Sequence, residues 1–293
     1  MNGFQRVIKY CAIALAIVLA IGIISLVVKI TLGIVTITTG GAMISKYANN
    51  EEFDTVDVTD TFDYVKSLDI DHSTGELIIR TGDTFKVEAI NVFPDDFEAE
   101  VKGDGRLVIS DGKAGFRFFG IHFNGISSPR SKITVYLPED FIAEEALIDS
   151  GAGTVTVEGL QTDYLYISAG AGNIRCEDII ADKAKIEGGV GGMTLSDVEL
   201  NNASFDNGVG NLNITGILTG DSSLDCGVGA VRLDLTGEVD DYDLKVDTGV
   251  GAVRVNGVKV GEDSGRNPSA ENSIRIDGGV GEVRINIESN FQK

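Results

Sequence analysis

The chain has 293 residues, 45 acids against 24 bases, a net charge of −21, no tryptophan and three cysteines. That length is ample for one large domain, and so acidic a surface on balance repels phosphate backbones, which disfavours nucleic acid as a partner. Cys11, Cys176 and Cys226 are too few and too scattered for a disulfide framework.

Residues 10–28 are almost wholly apolar and uncharged, and a bilayer is crossed by about 20 such residues in a helix. Arg6 and Lys9 precede the run while Glu51, Glu52 and Asp54 follow it, so the N-terminus is expected in the cytoplasm. The run is too long for a cleaved signal peptide and has no small-x-small site close behind it. The predicted layout is a cytoplasmic segment 1–9, a transmembrane signal-anchor region 10–37 and a linker 38–61, with the bulk of the chain extracellular. Residues 1–50 hold four bases and no acid, so residues 51–293 keep 20 bases and all 45 acids, a net of −25.

Residues 62–145 read as degenerate first coils and an N-terminal cap. "IDHSTGELII" (70–79) overlays "IDSGAGTVTV" (148–157), with Asp71 at the place of Asp149 and Gly75 at that of Gly153. "GDTFKVEAINV", "GDGRLVIS" and "KITVYLPEDF" read as strands, the last ending in a proline turn. The stretch 112–130, with Phe116, Phe118, Phe119 and Phe123, is expected either as a hairpin over the entrance of the stack or as a partner-binding patch.

From 146 to 287 one motif recurs, and its first glycines fall at 151, 170, 189, 208, 227, 249 and 279. Four successive spacings are 19 residues, and the last two stretch to 22 and 30. A fixed period of this size marks an array in which each repeat buries its apolar face on its neighbours. The glycines do not form a phosphate loop: no Gly-Lys-Ser/Thr is present and no helical pattern follows. Apolar alternation runs into each turn and shifts phase by one at the second glycine. The expected fold is therefore all-β, a single-stack β-solenoid, parallel β-helix-like, with coils of about 19 residues. In it the Val or Ala between the glycines is expected in the core, the second glycine takes φ > 0, and Ile148, Ile167, Ile186, Phe205, Leu224, Val246 and Ile276 stack in that order. Cys176 and Cys226 point inward and stay free. The tail 288–293 is too short to cap a strand edge, so the C-terminal coil is expected to pair with another copy or with an envelope protein.

An N-terminal span, the early "LDIDHSTGELIIRTGD", the turn "ITVYLPED" and tandem "GAGTVTVEGL" units together resemble the bacterial "putative adhesin" family of membrane-anchored β-strand-repeat proteins, over roughly residues 62–287. The resemblance implies a surface-exposed right-handed β-solenoid, mostly in Gram-positive bacteria and sometimes encoded near envelope-stress regulators. It supplies no catalytic residues. The aromatic stretch 112–130 and the loop 260–273 are elaborations on that pattern.

Two rows of charge stand on the outward face. Asp149, Ser168, Glu187, Asp206, Asp225, Asp247 and Asp277 sit two positions before each first glycine, with Asp71 an eighth member. Such carboxylates either accept N–H bonds from their own turns or share cations such as Ca²⁺. The nonapeptide calcium repeat is not matched, since Met193 stands where it requires Asp. Arg175, Arg232, Arg254 and Arg284 form a basic row five residues after the first glycines, which balances the acidic face or holds an anionic envelope polymer. His72 and His122 are the only histidines, and strand alternation is expected to turn His72 away from Asp71 and Ser73, which removes a hydrolase triad. No catalytic, cofactor-binding or metal-binding residue is assigned, and no cofactor. The expectation is a non-enzymatic cell-envelope surface module, an adhesin-like scaffold anchored by its N-terminal helix. A sensor or accessory subunit of an envelope stress system is the second reading, and a polysaccharide-active enzyme the third.

Overall fold

Alternation of apolar and polar residues at a period of two, broken by glycine, dictates strands throughout. The computed structural model describes residues 55–112, 131–261 and 266–288, together with the backbone of 116–118 and 121–123. All fall within one unit, Thr55–Lys293. The expected N-terminal span, the side chains of 113–130, residues 262–265 of the long loop and the last five residues lie outside the described residues.

The strands in chain order are β1 (Val56–Phe62), β2 (Ser67–Gly82), β3 (Phe85–Val92), β4 (Glu98–Val101), β5 (Arg106–Ser110), β6 (Phe116–Phe118), β7 (Ile121–Phe123) and β8 (Lys132–Pro138). The repeats supply β9 (Ile142–Val190), β10 (Met193–Asn201), β11 (Ala203–Val209), β12 (Leu212–Thr219), β13 (Asp221–Val228) and β14 (Val231–Thr236). After one 3-10 turn, Val239–Asp241, come β15 (Tyr242–Val250), β16 (Val253–Val255), β17 (Val258–Val260), β18 (Asn272–Val280) and β19 (Val283–Glu288). The fold is all-β, and β1 begins inside the stretch assigned above to the linker.

Repeats pair in parallel and in register. Phe205 lies beside Ile186 and Leu224 beside Phe205, each 19 residues along, and on the other arm of the repeat Leu212 lies beside Met193. The overlay of the early segment is reproduced, with Ile70 beside Ile148, Asp71 beside Asp149 and Gly75 beside Gly153. In-register pairing stacks identical side-chain types into ladders. Ile148, Ile167, Ile186, Phe205, Leu224, Ile276 and Val246 are each at most 2% exposed, and burial of such a side chain contributes roughly 1.5–3 kcal/mol. Cys176 and Cys226 are free and buried in the same interior, and burial pushes both thiols up to about 12.

The order of the ladder differs from the order of the sequence at both ends. β18 lies between β13 and β15, with Ile276 beside both Leu224 and Val246. β19 likewise lies between β14 and β16, with Arg284 beside both Arg232 and Arg254. The chain thus leaves β14, lays down β15 and β16 one place further out, and returns to fill the gap. The expected run from Leu224 to Val246 to Ile276 is therefore corrected to Leu224, Ile276, Val246. The C-terminal strands have partners on both edges, and the outer edge assigned to them belongs to β15. At the other end β2 is flanked by β5 and β8 on one side and by β9 on the other, although β5 and β8 follow it in the chain. Antiparallel strands finish that end, β3 on β8, β1 on β3 and β4 on β5. The aromatic stretch contains the hairpin β6–β7.

The glycine corner also departs from expectation. The second glycine takes positive φ in the first five repeats, Gly153, Gly172, Gly191, Gly210 and Gly229, but not at Gly251 or Gly281; at Gly191, with φ +147, a Cβ would fall on the carbonyl of Gly172. Its N–H donates to the corner valine one coil along, Gly191 N to Val209 O at 2.8 Å and Gly210 N to Val228 O at 2.8 Å, so the ladder continues around the bend. The valines themselves face outward: Val190 is 52% exposed, Val209 40% and Val228 46%. The chain turns at the glycine pair, so the residue between them stands on the outside of the bend rather than in the core.

Candidate functional site

The basic row is assembled by the crossed strand order. Register places Arg232 beside Arg284 and Arg284 beside Arg254. The turn "VNGV" then folds β17 back on β16, with Asn256 at φ 47 and Gly257 at φ 76, both positive as a two-residue hairpin turn of this type requires. That hairpin sets Lys259 opposite Arg254. Directly paired residues project from the same face, so four cations, Arg232, Arg284, Arg254 and Lys259, stand side by side on four neighbouring strands. Strand spacing separates each from the next by about 4.8 Å.

Among the described residues two carboxylates serve this row. Arg232 Nε donates to Asp234 Oδ2 at 2.6 Å, while Arg254 Nε and Arg284 Nη2 donate to the two oxygens of Glu282 at 3.1 and 2.8 Å. The Arg284 bond, reinforced by that from Arg254, holds the Glu282 carboxyl below its ordinary range. Asp234 also accepts from Asn286 Nδ2 at 2.6 Å. Together with Asn286 and Gly257 the three arginines line a cavity of about 320 Å³. Their side chains remain 42–53% exposed, so most guanidinium N–H groups face solvent.

Arg175, expected in the same row, is separated from it by Thr194 and Asn213 on the intervening strands. Lys259 was missed, although the Asn-Gly pair flanked by valines is a hairpin signal readable in the sequence.

The acidic row is contiguous through Glu187, Asp206, Asp225, Asp277 and Asp247. Burial, and then the charges of Asp225 and Glu187, raise the Asp206 carboxyl above its ordinary range. At Glu187 burial works upward but is outweighed by bonds from Lys185 and Tyr166, and the carboxyl is lowered. Burial and the bond to Glu187 push Tyr166 up to about 12. Two asparagines bond the turn backbone of the next coil: Asn173 Oδ1 accepts from Gly192 N and Asn211 Oδ1 from Ala230 N, both at 3.0 Å. Among the described residues no cluster of three or more His, Cys, Asp or Glu side chains is placed to hold a metal ion.

A third constellation is buried. His72 is 0% exposed, Asp111 2% and Ser73 6%. His72 Nδ1 lies 2.9 Å from Asp111 Oδ2, and Asp111 Oδ1 accepts from Ser73 Oγ at 2.9 Å and from Ser73 N at 2.7 Å. Alternation alone would send His72 and Ser73 to opposite faces, but both are buried and both reach the same carboxylate, Ser73 through its backbone N–H as well as its hydroxyl. These are the residue types of a hydrolytic triad in the wrong connection, because the serine hydroxyl donates to the carboxylate and not to the imidazole. His72 Nε2 has no hydrogen-bond partner among the described residues. Asp111 is 39 residues from His72, with nothing local in the sequence to announce it.

A family model described as Toastrack DUF4097 matches residues 65–286. No curated protein matches the chain in sequence. Two of the solved structures similar to it are as follows. One is described as a "putative cell adhesion protein" from Clostridium sporogenes, at 19% identity and TM-score 0.38, the alignment covering 80% of this chain and 99% of that one. The other is described as a "putative adhesin" from Bacteroides fragilis, at 15% identity and TM-score 0.41, covering 80% of this chain and 98% of that one.

Proposed function

The chain belongs to the Toastrack DUF4097 family, and on that premise we propose that it is a non-enzymatic cell-envelope surface module, an adhesin-like scaffold. In this reading the parallel in-register repeats are the coils of a single-stack β-solenoid. One N-terminal transmembrane helix, residues 10–37, holds the stack outside the cytoplasmic membrane. The observation that carries the reading is the register itself: residues 19 apart pair directly, so the surface is made of rows of equivalent side chains. Rows suit an extended partner, whereas turnover needs a few different groups converging on one point. The buried trio of His72, Ser73 and Asp111 does not supply that convergence, since its serine is committed to the carboxylate.

The topology is tested with an epitope tag placed after Lys293. Protease added to intact cells or protoplasts is expected to remove the tag. Digestion only after lysis would place residues 55–293 inside the cell and end the surface reading.

A further inference from the structure

We infer that the row Arg232, Arg284, Arg254 and Lys259 is a binding site for a linear polyanion, one whose phosphate or carboxylate groups recur along an unbranched chain. The first ground is charge. On a molecule of net charge −21, four cations stand on adjacent strands, and among the described residues the carboxylates of Asp234 and Glu282 meet the three arginines. Like charges directly opposite on neighbouring strands destabilise a sheet, so the positive charge that Asp234 and Glu282 leave unbalanced in this row works against the fold unless a further anion offsets it.

The second ground is shape. The three arginines, with Asn286 and Gly257, line a cavity of about 320 Å³, and their exposed guanidinium forks match carboxylate and phosphate oxygens two at a time. The third is direction. The row crosses the strands, so its charges repeat every 4.8 Å or so along the stack. A single anion meets one or two of them, while a polymer laid along the row meets all four. The acidic ladder belongs to a separate set of strands, β11, β13, β18 and β15, and adds a repulsion that confines such a polymer to this row.

The identity of the ligand as an envelope polymer rests on the surface reading above; the binding itself does not. The experiment uses the full-length chain in detergent, titrated at several salt concentrations with long-chain polyphosphate, with polygalacturonate and with orthophosphate. At least one polymer is expected to bind, and orthophosphate at matched phosphate concentration at least tenfold more weakly. Arg284→Gln, at the centre of the row, is expected to weaken polymer binding about tenfold and to reduce the slope of log K against log salt by about 0.7. Lys245→Gln with Arg275→Gln, a neighbouring basic pair on the other set of strands, is expected to change binding less than twofold. The unfolding midpoint of Arg284→Gln without polymer should match or exceed that of the unaltered chain, and added polymer should raise the midpoint of the unaltered chain alone. The site is overturned if neither polymer binds, if orthophosphate matches the polymer, if Arg284→Gln binds normally, or if the control pair loses as much. Failure of the tag-digestion experiment would leave this result standing, so the two readings fall separately.

Discussion

Asp206 stands between two further carboxylates, Glu187 on one neighbouring strand and Asp225 on the other, and burial together with their charges raises it above its ordinary value of 3.8. A carboxyl raised in the folded state binds its proton more tightly there than in the unfolded chain. Stability therefore falls as pH rises from 3.8 to the raised folded value, and the charged group opposes the fold at every pH above that window. Asp206→Asn is expected to stabilise the protein at pH 7 by about 0.5 kcal/mol, the scale of one cross-strand pair. The gain should vanish at pH 3, which urea unfolding at the two values would show; an equal gain at both would point to packing instead. The acidic row itself was legible, because alternation before each first glycine fixes which side chains face out. The corner valines were not. Alternation carried one residue too far predicts them buried, whereas Val190, Val209 and Val228 lie on the outside of a bend whose direction depends on three-dimensional closure.

Strand order shows where repetition helps a sequence reading and where it defeats one. Every repeat carries the same apolar pattern, so every strand fits every other, and the pattern fixes register without fixing neighbours. The one trace of the true order is the stretching of the glycine spacing from 19 to 22 and then 30, the extra chain needed to step one place out and come back. Outward positions in the acidic row make the order testable. Cysteines can be joined when their Cα atoms are within about 7 Å, which admits adjacent strands and excludes next-but-one strands. In a background with Cys11, Cys176 and Cys226 replaced by serine, Asp225→Cys with Asp277→Cys is expected to cross-link on oxidation, and so is Asp277→Cys with Asp247→Cys. Asp225→Cys with Asp247→Cys is expected to stay reduced. Cross-linking of that last pair, seen as a mobility shift reversed by reductant, would restore the sequential order.

For the whole molecule the repeat implies modularity in its middle and none at its ends. Between residues 142 and 236 the strands stack in the order in which they are made, so stability there is close to a sum over coils and their interfaces. Deleting residues 189–207 joins Gly188 to Gly208, regenerates the sequence "IEGGVGNLNI" and leaves every apolar ladder in phase. Deleting the ten residues 189–198 puts the following strands out of phase. The first variant is expected to fold with a cooperative transition within a few degrees of the full-length protein and the second to lose that transition, as calorimetry would report. Similar midpoints for the two would count against the solenoid. All-β class, repeat boundaries and the free buried cysteines were readable at this scale because they follow from local pattern. The buried His72–Asp111 contact and the crossed ends were not, because they join segments distant along the chain.

The interior position of β18 and β19 has a consequence in time. Protein chains are made from the N-terminus at about 5–20 residues per second, so β15 and β16 leave the ribosome roughly 1.5–6 seconds before the strands that will separate them from β13 and β14. During that interval the native neighbours of β15 do not yet exist. The strands β18 and β19 are the ones that close the stack, and β15 and β16 can take their native places only once those two have been made.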